Sequence, residues 1–349
     1  MSLYESIADL SLTVDGYALE RLAKTVSSGF ERVSTQITLQ GRGHDGRGED
    51  VTYEAEAHDA WQPLELAGTY TFDSFSEHLG TLDLFAGFTP QQDVFRRYRR
   101  WGFESAALDL ALRQNGTSLP AILGRTAQPV TFVVSSRMGD PPTLAAVTRR
   151  LARYPNLRFK LDGTPDWTDE LIADLVLTRA VDSIDFKGAY KGTVVDVETD
   201  PVFYRRIAQA FPDAWLEDPD LDDEEAFQAL APFQERITWD APIHSVQDIL
   251  ARKVIPRTVN LKPSRFGSVR SLFEAYEFCE QRGMGAYGGG QYELGVGRGH
   301  VQLLAALFHP HAPNDIAPGG YDALDPEPGL PESPLDVDPA PLGFRRAID

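Results

Sequence analysis

The chain has 349 residues, 42% hydrophobic and 24% charged, a balance ordinary for a globular protein that excludes a disordered chain. Its 52 acidic and 33 basic residues give a formal charge of −19, which repels phosphate backbones and anionic membranes, so neither nucleic acid nor a membrane is an expected partner. No apolar run nears the roughly 20 residues of a bilayer span. Met1–Leu10 lacks a signal-peptide pattern, and the lone Cys279 permits no internal disulfide, so a cytoplasmic location is expected.

The first 127 residues read as α+β. Thr35–Leu39 and Val51–Tyr53 look like strands around the glycine-rich loop Gly41–Gly48. A long helix follows from about Gln91 to Arg113, with Trp101, Leu108 and Leu112 at helical spacing and a stop at Asn115-Gly116. The basic group Arg96, Arg97, Arg99 and Arg100 is read as a solvated helix face.

From Val130 onward, short β-branched or aromatic runs alternate with amphipathic stretches, the pattern of repeated βα units and a parallel sheet. The runs are Phe132–Ser135, Arg158–Asp162, Ser183–Lys187, Ala214–Asp218, Ile237–Asp240, Thr258–Lys262 and Gly285–Gly288, with Asn314–Ala317 a weaker eighth. Helices are expected at Pro142–Arg153, Thr168–Arg179, Asp200–Ala210, Asp223–Leu230, Ser245–Arg252 and Ser268–Gln281, several opened by Ser, Thr or Asp caps. Seven or eight such units close most naturally into a (β/α) barrel, with a doubly wound sheet as competitor. The reading is an α/β chain in three parts: an α+β capping domain over 1–127, a modified (β/α)8 TIM barrel over 128–322, and an irregular proline- and acid-rich tail over 323–349 packing on a domain surface.

In a barrel, side chains at strand C-terminal ends converge on one mouth. Here these are Lys160, Asp162, Asp185, Lys187, Glu217, Asp240 and Lys262. A single charged residue at a strand end is more often a salt-bridge or capping group, but acid, acid, acid, lysine at βα spacing after apolar runs is hard to explain as surface. Asp185, Glu217 and Asp240 would repel one another unless a cation neutralised them, and all-oxygen donors suit magnesium better than zinc. Lys160 and Lys262 flank this triad. Such a site suits removal of a proton next to a carboxylate, the metal serving as electrophile and a lysine as base. His309-Pro310-His311 reads as loop residues, and the amides of Gly295–Gly299, ahead of an apolar helix at His300–Phe308, could cradle an anionic substrate group or only pack closely.

These residues resemble the enolase superfamily, in the branch of muconate lactonizing enzymes, o-succinylbenzoate synthases and N-acylamino acid racemases, over nearly the whole chain. Trp101–Leu112 looks like the helix closing that family's capping domain, and Gly46-Arg47-Gly48-Glu49 like its early strand turn. Trp215–Pro219 resembles the second metal-ligand motif, Asn260–Ser268 the sixth-strand lysine motif, and Gly288–Arg298 the seventh-strand segment. The resemblance implies a capping domain on a modified barrel, magnesium held by Asp185, Glu217 and Asp240, and Lys262 as an acid/base lysine. Family members often assemble symmetrically, which leaves a homo-oligomer open.

Two positions depart from the pattern. Where the branch has Lys-x-Lys on the second strand, this chain has Lys160-Leu161-Asp162, and where it has Asp-x-Asn on the third, this chain has Asp185-Phe186-Lys187. Either Asp162 or Lys187 replaces the missing lysine. Single-base chemistry is favoured: Lys262 takes the α-proton of a small carboxylate substrate, passing through a metal-stabilised enediolate to β-elimination, with Lys160 and Lys187 steadying negative charge. Racemisation, epimerisation or cycloisomerisation is the alternative, and a metal-binding pseudoenzyme a third reading. Gly290, Gln291 and Glu293 are substrate-contact candidates. Glu293 also reads as a general acid or as a carboxylate bonded to a backbone amide. Substrate choice is expected to lie in capping loops around Asp15–Phe30 and Gly41–Gly48.

Overall fold

The computed structural model describes residues 1–25, 31–193 and 195–348, so the end of the expected Asp15–Phe30 loop, 26–30, lies outside the described residues. After the short helix α1 (Glu5–Ala8) come β1 (Ser11–Val14), β2 (Gly16–Thr25), β3 (Glu31–Gly41) and β4 (His44–Asp50). The strands β2, β3 and β4 form an antiparallel sheet in that order, and β1 pairs with β5 (Gly68–Thr71). Two expectations are corrected here. Val51–Tyr53 is not a strand, and Gly41–Gly48 is not a loop: only Arg42 and Gly43 turn, both at positive φ, and β4 starts at His44. The glycines serve packing. A Cβ on Gly46 would lie 2.2 Å from the Ala106 carbonyl, and one on Gly48 2.0 Å from that of Gly102.

Those carbonyls belong to α3 (Val94–Gln114), reached through α2 (Phe72–Thr81), which Thr71 opens with a capping box to Ser74. Helix α3 buries Trp101, Phe103, Leu108, Leu110 and Leu112, and ends at Asn115 with Gly116 at positive φ. Its basic cluster is not uniformly solvated. Arg96 and Arg97 are exposed, but Arg99 is buried between the rings of Trp61 and Phe85, its Nε 2.8 Å from Asp50. A fully desolvated guanidinium needs that carboxylate and the carbonyls of Leu84 and Ala57, to which it also donates.

Beyond α4 (Leu119–Leu123), strand and helix alternate: β6 (Val134–Ser136), α5 (Ala145–Arg153), β7 (Phe159–Asp162), α6 (Asp169–Thr178), β8 (Val181–Asp185), α7 (Pro201–Ala210), β9 (Trp215–Glu217), α8 (Glu224–Leu230), β10 (Ile237–Thr238), α9 (Val246–Leu250), β11 (Thr258–Asn260), α10 (Pro263–Phe266), α11 (Val269–Arg282), β12 (Gly285–Tyr287) and α12 (Val296–Phe308). Thr168, Asp200, Asp223, Ser245 and Ser268 each cap the following helix through the side chain. The strands β6 to β10 form a parallel sheet in chain order, and β11 pairs in parallel with β12. The Asn260 amide donates to the Trp239 carbonyl (3.1 Å), joining the two sheets. The expected strand Asn314–Ala317 does not form. Two single-residue parallel bridges, Asn314 with Phe132 and Asp315 with Gly289, stand in its place, because the Asn314 side chain spends its amide on three neighbouring carbonyls instead of leaving a regular ladder.

The last segment pairs Leu335 with Val130 and buries Phe344, which stacks on His300 and meets Trp101 edge-on. Arg345 anchors it to Asp109 of α3 at 2.5 Å.

Candidate active site

The parallel sheet presents its polar side chains where the strands end. Lys160 and Asp162 share one side of β7 by period-two alternation, Asp185 ends β8, and Glu217 ends β9. Asp240 and Lys262 lie two residues beyond β10 and β11. Lys187 follows Asp185 by two residues and sits at φ +57°, a left-handed conformation unusual for lysine, held because its amide donates to the Asp185 carboxylate at 3.0 Å. Five of the seven expected charged residues, Lys160, Asp162, Asp185, Lys187 and Glu217, thus meet in one ion-paired group, and Lys262 pairs separately with Asp240, whose charge Asp185 and Glu217 feel.

The connections are specific. Lys160 Nζ contacts Glu217 Oε1, lies 3.1 Å from Asp185 and 3.8 Å from Asp315. Lys187 Nζ lies 2.5 Å from Asp185 and 3.2 Å from Asp162, whose other oxygen is 3.3 Å from Arg137. Lys262 Nζ is 2.8 Å from Asp240, and Arg265 Nε lies 3.1 Å from the same carboxylate. The Tyr190 hydroxyl donates to Asp240 (3.3 Å) and accepts from Arg265 (3.0 Å).

Burial makes every one of these charges costly, and neighbours decide the outcome. For Asp185, Lys187 and Lys160 outweigh burial and hold the carboxyl well below the usual range; for Asp240, Arg265 and Lys262 do the same. Glu217 goes the other way: burial, reinforced by Asp185, Asp240 and Asp218, pushes it up to about 8 against the pull of Lys160. Burial and the Asp240 and Asp185 charges push Asp218 up to about 7. Burial disfavours the ammonium forms of Lys160 and Lys187, yet the surrounding carboxylates overcome it and raise both well above the ordinary lysine value. Both are therefore cations, suited to hold anions rather than to accept protons.

Carboxylates driven upward at Glu217 and Asp218 mark negative charge that the lysines leave uncompensated. Oxygens of Asp185, Glu217 and Asp218 lie within 4.8 Å of one another, and among the described residues no histidine or cysteine joins them. That donor set fits a hard divalent cation such as magnesium. It differs from the expected trio in its third member. Lys262 and Arg265 draw the Asp240 carboxylate to their side, while Asp218, at φ +48°, accepts the amides of Asp240 (2.8 Å) and Ala241 (2.9 Å) and so fixes the strand end that carries Asp240.

The seventh-strand segment is tied down by the N-terminal sheet. Glu293 Oε1 accepts from the Gln291 amide (2.6 Å) and Oε2 pairs with Arg298 (3.1 Å), so this carboxylate is engaged by its own loop. A Cβ on Gly290 would fall 2.3 Å from Glu293. Gln291 is buried, and its carbonyl and that of Tyr292 accept from Arg32 of β3. Of the amides expected to cradle an anionic substrate group, those of Gly295 and Gly297 are already taken. Glu49 of β4 accepts from Leu294 (2.7 Å), Gly295 (3.0 Å) and Gly297 (2.9 Å), capping α12 with a protein carboxylate. His309 is buried against Asn314 (2.7 Å), apart from the cluster.

Sequence reasoning missed Arg265, Tyr190, Tyr287, Asp218 and Asp315. Arg265 lies three residues after Lys262 and Asp218 directly after Glu217, so proximity to a strand end was the available signal. Tyr287 carried the same signal, as the last residue of β12, and nothing local marked Tyr190.

The domain-of-unknown-function family DUF8230 matches in both its parts, the N-terminal domain over residues 5–122 and the C-terminal domain over 126–323. An o-succinylbenzoate synthase of Geobacillus stearothermophilus is 28% identical over 267 residues, 70% of this chain and 68% of that protein. An N-succinylamino acid racemase of an Amycolatopsis species is 28% identical over 252 residues, 68% and 64% of the two chains. Among solved structures, an enolase-superfamily member from Listeria innocua superposes with a TM-score of 0.64 at 19% identity, over 88% of this chain and 86% of that one. Muconate lactonizing enzyme from Pseudomonas putida gives 0.59 at 19% identity, over 84% of each. The fold is therefore that of the enolase superfamily, a TIM-barrel-like domain with an N-terminal cap.

Proposed function

The chain belongs to the DUF8230 family, with the enolase-superfamily fold, and from that premise we propose that it is an enzyme that removes the proton next to a substrate carboxylate, with β-elimination as the outcome. One observation carries the reading: Lys262 stands 2.8 Å from Asp240 beside the buried carboxylates of Asp185 and Glu217. We assign residues 1–127 to a cap, 128–322 to a barrel closed through the Asn260–Trp239, Gly289–Asp315 and Phe132–Asn314 contacts, and 323–349 to a tail.

Asp185 and Glu217 would hold magnesium with Asp240, the acid that the resemblance assigns, as third ligand; Asp218, whose oxygens converge with the first two, is committed to the Asp240 and Ala241 amides and fixes the position of Asp240. Magnesium bound there would supply positive charge facing the substrate carboxylate. Lys262, as the free amine, accepts the α-proton. The electron pair of the broken C–H bond forms the new double bond as the β-substituent departs with its own pair. Lys160 and Lys187, kept cationic by their carboxylate neighbours, face the negative charge that develops. Burial keeps water from competing at these charges. The substrate is a small carboxylic acid. Among the described residues no helix is long and apolar enough to cross a membrane.

Racemisation is the second reading, favoured by the Lys187–Asp162 pair, which places an ammonium on a different strand from Lys262. The test is deuterium exchange at the α-carbon of β-hydroxy acids and N-succinylamino acids, with magnesium, for the natural protein and Lys262→Ala. Exchange with elimination that vanishes in the variant supports the proposal. Exchange with inversion and no elimination selects racemisation. Tight magnesium binding without exchange from any acid makes the chain a metal-binding protein without catalysis.

A further inference from the structure

Glu217 is gripped at both carboxylate oxygens, and the two grips differ in kind. Oε1 meets Lys160, whose ammonium also stands 3.1 Å from Asp185, so this oxygen faces the Asp185 side. Oε2 accepts from the phenol of Tyr287, the last residue of β12, only 2% exposed. The phenol oxygen is in turn 3.3 Å from Thr238 Oγ1, a donor at the end of β10. A chain of hydroxyls therefore runs from β10 through β12 to the carboxylate ending β9.

The last torsion of a glutamate is broad, so the side chain by itself does not fix the plane of its carboxylate. Tyr287 fixes that plane by donating its hydroxyl to Oε2, which leaves the other oxygen on the Lys160 and Asp185 side. We propose that Tyr287 is a positioning residue that presents Glu217 Oε1, together with Asp185, to the divalent cation of the site. The proposal rests on the metal reading given above. It makes the cation's affinity depend on a hydroxyl that never touches it, an effect typically of about 10–100-fold for groups that orient a ligand.

A tyrosine at this place could also serve only to fill space, and the phenylalanine variant separates the two roles because it keeps the ring. The experiment titrates Mn2+ into the purified full chain, following free Mn2+ by electron paramagnetic resonance, for the natural protein, Tyr287→Phe, Thr238→Val and Tyr276→Phe. Tyr276 is a buried tyrosine on α11 whose hydroxyl meets His309 rather than a carboxylate, and it controls for loss of a buried phenol. Expected is a Kd for Mn2+ at least about tenfold weaker in Tyr287→Phe, a smaller weakening in Thr238→Val, and none in Tyr276→Phe. Unchanged affinity in a folded Tyr287→Phe overturns the proposal. If that variant does not fold, unchanged affinity in Thr238→Val, which keeps the phenol but frees its orientation, overturns it equally. A natural protein that takes up no Mn2+ overturns the metal reading itself, an outcome distinct from either.

Discussion

Asn314 and Asp315 are neighbours in the chain, yet the two sides of the sheet that they serve follow opposite rules. Asn314 faces α12 and is saturated: its carbonyl oxygen accepts from His309 and from the Gly288 amide, and its amino group donates to Thr131, His309 and Ala312. Asp315 lies 3.8 Å from Lys160, in a cluster where Asp185 and Asp240 are held strongly acidic, Glu217 and Asp218 are pushed upward, and Lys187 and Asp218 take left-handed backbone. The side chains of Asn260 and Ser183, also buried near this end, make no protein hydrogen bond. The outer network spends polar groups on stability. The inner one keeps charge in excess, the condition under which a cation and an anionic substrate bind.

That contrast can be broken from either side. The largest effect is expected on the inner side: Lys262→Ala should lower α-deuteration about 10³-fold while metal uptake persists, as followed by NMR in deuterated water, and retained exchange would remove Lys262 as the base. Next comes the exchanged charge pair. Lys187→Asn and Asp162→Lys should each reduce exchange on the order of 10²-fold, the first by deleting an ammonium and the second by setting two lysines together. The double variant should return to within about tenfold, because it moves the lysine back to the second strand. Strictly additive losses would show that the two residues act independently.

On the outer side, Asn314→Ala should cost about 2–3 kcal/mol in urea unfolding, since it strands the buried Gly288 amide and the His309 ring nitrogen, yet leave the Kd for Mn2+ unchanged. A change in metal affinity would mean that the two sides are coupled. The smallest expected effect is on pH dependence. Burial lowers His309 to about 4, from an ordinary 6.5, against the opposing pull of its bond to Asn314. Between those values the unfolded chain binds a proton that the folded one refuses, so this contribution is fully present above pH 6.5 and is lost as pH falls toward 4. Stability should drop by about 1 kcal/mol per unit there, and His309→Gln should flatten that slope.

Much of this was legible in the residues alone. Local chemistry fixes helix starts, so Thr168, Asp200, Asp223, Ser245 and Ser268 marked true caps, and apolar runs ending in charge marked the strand ends that carry Lys160, Asp185, Glu217 and Lys262. The glycines of 41–48 misled, because a glycine needed for close approach to α3 and one needed for a turn look the same in sequence.

What the sequence by itself determined was which residues stand at the ends of the elements, since caps, periodicity and strand termini depend on neighbours a few positions away. Only the tertiary structure decided how those ends are shared out. That Glu49 fills amides at the start of α12, that Asp218 rather than Asp240 converges with Asp185, and that Tyr287 reaches Glu217 are contacts between residues far apart in the chain, up to 248 positions. Such contacts are set by how the elements close on one another in three dimensions, which no local pattern encodes.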